Sequence, residues 1–273
     1  MTSSLRELQK NWEGLAQTDP LWAICTDPAR RNGKWSREEF FATGRDEIGS
    51  VMDCVDSVQL KIDRTGPALD FGCGVGRLTR ALARYFPACW GVDIAPTMVR
   101  LAGEFNQDVP QCRFVLNEGG DLRGFHDGQF GFVYTSIVLQ HIAPRYTKRY
   151  LAELVRVLKP GGVLVFQLLD EFRASAVARW RQRLGLRRRM RKLASRRNGN
   201  HCMDLHCIRE ANVRRLLQAA GAKVVDVRLT NSADPSFNGK LRYLETAPAR
   251  GFISKQYCVI KDATFPKEKV VDK

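Results

Sequence analysis

The sequence has no hydrophobic run long enough to cross a bilayer. Its longest apolar run extends only from Val163 to Leu169 and is interrupted by Gln167, whereas a membrane-spanning helix needs about 20 consecutive apolar residues. The first residues also have none of the apolar core that secretion signals carry. We therefore expect a soluble, cytoplasmic protein.

Cysteine pairs at the spacing of metal-binding or redox motifs are also missing. The eight cysteines are scattered and form no Cys-x-x-Cys pair, which predicts reduced and mostly buried thiols. The segment from His201 to Cys207 contains two His-Cys pairs, but their spacing fits none of the usual zinc patterns. We expect a loop there and no metal site.

Acidic residues are too few to balance the basic ones, and the formal net charge is +15. Eleven of the basic residues lie between positions 170 and 200, against two acidic residues in the same stretch. The excess positive charge is therefore local. Because Val177, Trp180 and Leu184 follow helical spacing, the stretch 173–197 predicts a basic amphipathic helix.

This basic helix has three interpretations. Its arginines form a solvated face over a structural cap, or they recognise an acidic acceptor or an anionic membrane surface, or they neutralise nucleic-acid phosphates. Nucleic acid is the less favoured partner, because Trp180 is the one aromatic residue among the arginines and a base-stacking surface needs several.

The chain, of 273 residues and 44% apolar, can bury one sizeable core. Between residues 60 and 170, strand and helix patterns alternate, which predicts a doubly wound parallel sheet in an α/β fold. We assign residues 1–66 to an N-terminal helical lid and residues 67–273 to the core, with 171–208 as a basic insertion after the fifth strand. The alternative for residues 1–66 is a helical pack that only covers the edge of the sheet.

A strand, a glycine loop and a helix follow one another from Ala68 to Ala83. Gly72, Gly74 and Gly76 alternate, unlike the Gly-x-Gly-x-x-Gly of dinucleotide-binding folds, and Asp70 would repel a pyrophosphate. Glycine leaves the backbone open to a ligand. Asp93 ends the second strand, where such folds place an acid that binds ribose hydroxyls.

These motifs, together with a fourth strand from Phe130 to Ser136 and a Lys-Pro-Gly-Gly turn that begins at Lys159, resemble the class I S-adenosylmethionine (SAM) dependent methyltransferases. The resemblance covers residues 60–170. It implies a Rossmann-like, seven-stranded sheet whose last strand inserts antiparallel beside the fifth. One departure is Gly131, where the family commonly has Asp.

The resemblance also implies the cofactor site. Asp70 would serve the ammonium of SAM, the glycines its carboxylate, and Asp121 the amino group of the adenine, while Arg45, as part of the lid, would lie near the methionine end. The full set of expected cofactor-binding residues is Asp70, Gly72, Cys73, Gly74, Gly76, Arg77, Asp93, Ile94, Asp121, Leu122, Ser136 and Arg45.

The expected reaction is methyl transfer from SAM to an oxygen atom, or to a nitrogen atom, of a small or lipid-linked metabolite. An acidic metabolite is one version of this expectation. His141, just after the fourth strand, has the position and intrinsic pKa of a general base. Motifs typical of DNA amino-methylating, pyrimidine-carbon and protein-arginine methyltransferases are missing. Two alternatives stay open: an RNA methyltransferase that uses the arginine-rich helix, and a SAM-binding regulatory protein without turnover.

Overall fold

A computed structural model describes residues 5–174, 204–234 and 237–263 of the chain. The predicted basic helix 173–197 lies almost entirely outside the described residues, as do His201, Cys202 and the residues after 263.

The described residues form α-helices and strands in alternation over the central part of the chain. The helices are α1 Leu5–Thr18, α2 Pro20–Ile24, α3 Arg37–Ser57, α4 Arg77–Leu82, α5 Pro96–Phe105, α6 Pro144–Val157 and α7 Glu210–Ala219. The strands are β1 Ala68–Phe71, β2 Cys89–Asp93, β3 Cys112–Leu116, β4 Phe130–Thr135, β5 Leu158–Arg173, β6 Ala222–Thr230, β7 Tyr243–Leu244 and β8 Gly251–Lys261.

All of these strands belong to one sheet in the order β3-β2-β1-β4-β5-β8-β6-β7. Strands β1 to β5 are parallel, and β8 runs antiparallel between β5 and β6. This confirms the doubly wound α/β fold. The described sheet has one strand more than the seven expected, because the two-residue β7 pairs with the end of β6.

Helices cover both faces of the sheet, so β1 and β4 are buried along their whole length. One apolar cluster packs the sheet against α6 and α7, and another packs it against α3 and α4. With both faces covered, binding groups gather at the carboxyl ends of the parallel strands.

The Lys-Pro-Gly-Gly turn that begins at Lys159 is expected to precede the fifth strand. In the structure it lies within β5. Phe130 of β4 pairs with Leu158, but Phe132 pairs with Val163, so the residues between them bulge out of the ladder. Gly161, at a φ of 75°, occupies a left-handed conformation in this bulge.

A glycine is needed at position 131 because the backbone of another segment lies close to it. A Cβ atom added at Gly131 would lie 2.6 Å from the carbonyl oxygen of Asp63. The Asp63 carboxylate in turn accepts a 3.0 Å ion-paired hydrogen bond from Lys159. The aspartate that the family commonly has at this position would therefore collide with the segment that leads into β1.

The sequence Ser36-Arg-Glu-Glu39 has the pattern of a capping box, which predicts a helix that begins there, and helix α3 does so. Ser36 is its N-cap and accepts a 3.2 Å hydrogen bond from the backbone N–H of Glu39. Further along, Gly44 lets α3 approach α4, since a Cβ atom at Gly44 would lie 2.6 Å from the carbonyl oxygen of Arg77.

We expect Gly44→Ala to destabilise the protein by about 1–3 kcal/mol, because the added methyl group meets the rigid backbone of α4. The measurement is the free energy of unfolding in urea.

Gly49 of the same helix is the matched control, because a Cβ atom there would meet nothing within 4 Å. Gly49→Ala should stabilise the protein by about 0.5–1 kcal/mol through the higher helix propensity of alanine. Equal effects of the two substitutions would contradict the close approach of α3 and α4.

Candidate active site

A cavity of about 400 Å³ lies at the carboxyl ends of the parallel strands. This volume is in the range of small-molecule binding pockets. Its walls come from the loops after β1, β2 and β4, from α1 and α2, and from the segments that follow β5 and β6. The sheet thus brings together loops that are far apart in the sequence.

The glycine loop after β1 is one wall of the cavity. Gly72 and Gly74 have φ values of +79° and +53°. A Cβ atom at Gly72 would lie 2.3 Å from the Val138 side chain, and one at Gly74 would lie 2.4 Å from Ile24. Only glycine fits both the conformation and the space at these two positions.

Asp93 fixes the shape of this loop and lines the cavity. Its Oδ2 accepts a 2.9 Å hydrogen bond from the N–H of Gly74, and its Oδ1 accepts one of the same length from Ala95. Burial raises the pKa of the Asp93 carboxyl above its ordinary value. Each carboxylate oxygen has a second lone pair, so Asp93 can also accept hydrogen bonds from a ligand.

Asp70 lies behind the glycine loop and does not line the cavity. Its Oδ2 accepts a 2.6 Å hydrogen bond from the Thr79 hydroxyl, and its Oδ1 is buried without a partner. Burial raises the pKa of Asp70 to about 7. An orphaned, partly protonated carboxyl gains a favourable partner when a cation arrives nearby.

Arg77 begins α4 and forms a buried ion pair with Glu47 of α3 at 2.7 Å. Glu47 also accepts a 2.8 Å hydrogen bond from the Tyr134 hydroxyl. Arg77 lines the cavity, and its Nε is buried without a partner. A buried N–H donor of this kind suits an anionic group of a ligand.

His141 also lines the cavity, where its ring meets Trp12 of α1 edge-on with a centroid separation of 5.2 Å. Its Nδ1 lies 3.0 Å from the carbonyl oxygen of Asp204. A carbonyl only accepts, so Nδ1 carries the proton and Nε2 accepts from the Gln140 amide at 3.2 Å. Burial lowers the pKa of His141 to about 4.

A directed chain of hydrogen bonds continues from His141 into the sheet. Gln140 accepts from the Gln167 amide at 3.1 Å, and the Gln167 oxygen accepts from the backbone N–H of Ile137 at 3.0 Å. Ile137 has a φ of 59°, which is strained for a β-branched residue. Gln167 thereby holds the loop after β4 in its conformation at the cavity.

The structure places the other predicted residues in two groups. Cys73, Ile94 and Ser136 line the cavity. Gly76, Asp121, Leu122 and Arg45 do not.

Three residues of this second group have other environments. Asp121 is ion-paired with Arg123 and Arg149, at 2.7 Å in both cases. Leu122 packs in the hydrophobic core, and Arg45 is exposed on α3. Among the residues that line the cavity, Asn117 is the one closest to Asp121 in sequence, and it directly follows β3.

Several lining residues carried no sequence signal. Leu8 and Trp12 reach the cavity because α1 is fastened to the start of α5, where Glu13 accepts from the N–H of Thr97 at 3.0 Å. Ser232 and Phe252 reach it from segments beside β6 and β8. Only Asn117 has a recognisable position, because it directly follows β3 at the carboxyl end of a parallel strand.

The described residues contain no group of three or more His, Cys, Asp or Glu side chains that could hold a metal ion. Within the same residues, no helix is both long and apolar enough to span a membrane.

Residues 69–166 match the family model described as a methyltransferase domain. An uncharacterized methyltransferase from Synechocystis is 35% identical over 112 residues, which are 41% of this chain and 50% of the relative. A 2-methyl-6-phytyl-1,4-hydroquinone methyltransferase from the same organism is 34% identical over 116 residues, 42% of this chain and 32% of the relative. The chain thus spans half or less of the length of these two relatives.

Among solved structures, magnesium protoporphyrin IX methyltransferase from Synechocystis, with bound S-adenosylhomocysteine (SAH), is similar with a TM-score of 0.59. The match covers 95% of this chain and all of that one at 16% identity. At this identity the similarity shows the fold.

His141 should make the stability of the protein depend on pH. Its folded-state pKa of about 4 lies below the unfolded value of about 6.5, so its contribution is present above pH 6.5 and is lost as the pH falls towards 4. The loss amounts to about 3 kcal/mol. We expect His141→Asn to remove this component, measured as the difference in unfolding free energy between variant and wild type from pH 7 to pH 4.

The comparison with the wild type is needed because Asp70 also titrates in this pH range. Its raised pKa makes its contribution to the unfolding free energy grow as the pH falls, opposite to that of His141. His126→Asn is the control, since His126 is exposed. A pH profile of His141→Asn that parallels the wild type would disprove the burial of a neutral imidazole.

Proposed function

We propose, from the premise that residues 69–166 are a methyltransferase domain of the class I SAM-dependent type, that the chain transfers the methyl group of SAM to a small or lipid-linked acceptor. The acceptor atom is oxygen, with nitrogen as the alternative. The observation that carries the proposal is the position of the Asp93 carboxylate. It accepts a hydrogen bond from the glycine loop, lines the cavity, and can accept further hydrogen bonds from a ligand.

The residues present fit SAM. Asp93 would bind the two ribose hydroxyls, while Ile94 and Met98 would pack on the adenine beside Asn117, since all of these line the same part of the cavity wall. Asp70 does not line the cavity, so its charge would act through space on the cationic end of the ligand.

Arg77 fits the carboxylate of the methionine moiety. Its unpartnered Nε supplies the donor, and the ion pair with Glu47 keeps the guanidinium in place. Arg45, in contrast, is exposed and outside the cavity wall. We therefore assign the role expected of Arg45 to Arg77.

When bound, SAM supplies an electrophilic methyl group on a sulfonium centre. An in-line displacement would require this chain to align the acceptor atom with the methyl carbon and the sulfur, and the acceptor would release its proton to bulk water. The contribution of this chain is alignment and exclusion of water. Trp12 and Leu8 of α1 cover the cavity, and the strained Ile137 shapes the loop beside it.

For His141 we propose a positioning role in place of the expected general base. Both ring nitrogens are engaged in hydrogen bonds, and a pKa of about 4 makes the imidazole a weak proton acceptor at neutral pH. Through Gln140 and Gln167 the ring is connected to the backbone N–H of Ile137.

The expectations of an RNA substrate, of an acidic acceptor and of contact with an anionic membrane depended on the basic stretch 173–197, which lies almost entirely outside the described residues. They stay predictions, as does a cytoplasmic location. Transfer of labelled methyl groups from SAM into a fractionated cell extract, followed by mass analysis, would identify the acceptor.

Asp93→Ala should weaken SAH binding about 100-fold or more, because two hydrogen bonds between ribose hydroxyls and a charged carboxylate are lost. Isothermal titration calorimetry measures this change. Asp53→Ala is the control, since Asp53 lies exposed on α3. Failure of the folded wild type to bind SAM or SAH, or unchanged binding by Asp93→Ala, would refute the proposed function.

Binding of SAM should release a proton near pH 6. At this pH the Asp70 carboxyl, with a pKa of about 7, is mostly protonated, and a nearby cationic ligand lowers the pKa of a carboxyl. Calorimetry in two buffers with different ionisation enthalpies gives the number of protons released. Asp70→Asn should abolish the release, and a release that persists in this variant would assign the proton to another group.

A further inference from the structure

The cavity has a second part beyond the residues assigned to SAM. In the sheet order, β5, β8 and β6 lie on the far side of β4 from the glycine loop. Side chains beside these strands line the cavity, and most of them are apolar: Leu169, Leu205, Ala233, Phe237 and Phe252. Under the proposed function, on which this inference rests, the acceptor occupies this part.

Ser232 supplies an unsatisfied polar group there. It lies just after β6, is 6% exposed and lines the cavity, yet its Oγ is buried with no hydrogen-bond partner. The adjacent Asn231 holds the loop in place, because its side chain accepts from the N–H of Arg242 at 2.8 Å and donates to the carbonyl of Lys240 at 3.0 Å. A buried hydroxyl without a partner is costly, and a ligand hydroxyl would satisfy it.

The charges in the cavity wall do not suit an anionic acceptor. Arg77 is the one cationic side chain among the described lining residues, and it is paired with Glu47. Asp93 adds a carboxylate to the wall. An acceptor carboxylate or phosphate would therefore be desolvated with no unpaired cation among the described lining residues to compensate it.

The apolar lining continues to the surface. Phe252 lines the cavity and packs against Phe172, its cross-strand partner on β5, with a centroid separation of 4.8 Å. Phe172 is 44% exposed, and Leu205 of the cavity wall is 40% exposed. Exposed large apolar side chains that continue from a cavity suit a ligand with an apolar part that reaches the surface.

We propose that the acceptor is a neutral molecule with an apolar body and a hydroxyl group, and that the Ser232 Oγ is the hydrogen-bond partner of that hydroxyl. Ser232 is then a specificity-determining residue. The apolar body lies against Phe237 and Phe252 and extends towards Phe172.

The test compares four probes of nearly equal size: 4-butylphenol, butylbenzene, 4-butylbenzoate and 4-butylbenzylammonium. Each is titrated by calorimetry into the full chain saturated with SAH at pH 7.5, where the phenol is neutral and the benzoate is ionised. We expect 4-butylphenol to bind at least tenfold more tightly than the benzoate, which finds no unpaired cation among the described lining residues. We expect it also to bind more tightly than the ammonium compound, because the apolar side chains of this part cannot replace the water around a charge. We expect about fivefold tighter binding of the phenol than of butylbenzene.

Ser232→Ala should remove the preference for 4-butylphenol over butylbenzene and leave the affinity for butylbenzene unchanged. A purely structural role of Ser232 would lower both affinities together. Ser50→Ala is the matched control, because the Ser50 hydroxyl bonds to the backbone of its own helix. Phe252→Ala should weaken both neutral probes, whereas Val225→Ala, at an exposed site on β6, should weaken neither.

Equal or tighter binding of the benzoate or the ammonium compound would overturn the inference, as would binding of none of the probes or an unchanged preference in Ser232→Ala. The SAH titration that precedes each experiment separates the two proposals. If SAH does not bind, the proposed function fails and the inference fails with it. If SAH binds but the neutral phenol is not preferred, only the inference fails.

Discussion

The site depends on the two backbone hydrogen bonds that the Asp93 carboxylate accepts. One comes from Gly74 in the loop after β1, and the other from Ala95 at the start of α5. A single side chain thus fixes the two loops relative to each other, although 19 residues separate Asp93 from Gly74. Because Asp93 also lines the cavity, the side chain that shapes the loop is the one proposed to bind a ligand.

A second constraint connects the cavity to the interior of the sheet. The chain of hydrogen bonds begins at the backbone N–H of Ile137 and ends at the backbone carbonyl of Asp204, with Gln167, Gln140 and His141 between them. Its two ends are backbone groups of fixed polarity, so every side chain in it has one permitted orientation. This arrangement explains why His141 is neutral and why Ile137 persists in a strained conformation.

The sequence was most informative where the pattern was local. The strand, glycine loop and helix around Gly72 and the N-cap at Ser36 could both be predicted, because each depends on residues within a few positions. Arg45 shows the limit of such reasoning. Helical structure was predicted for residues 1–66, but the packing that turns Arg45 to solvent and Glu47 to Arg77 depends on the distant helix α4. Asp121 is similar, since its ion pairs involve Arg149 of α6.

The placement of β8 has a consequence for the order in which the molecule assembles. This strand lies between β5 and β6 in the sheet and pairs with both, yet it follows both of them in the chain. The parallel strands β1 to β5 can pair with one another before β8 is available, whereas β6 has only the two-residue β7 as its other neighbour. Contacts between strands that are distant in sequence form slowly, because the intervening chain must first be ordered. We therefore expect the half of the cavity that holds Ser232 to be completed last during folding, on a parallel sheet that already carries the glycine loop.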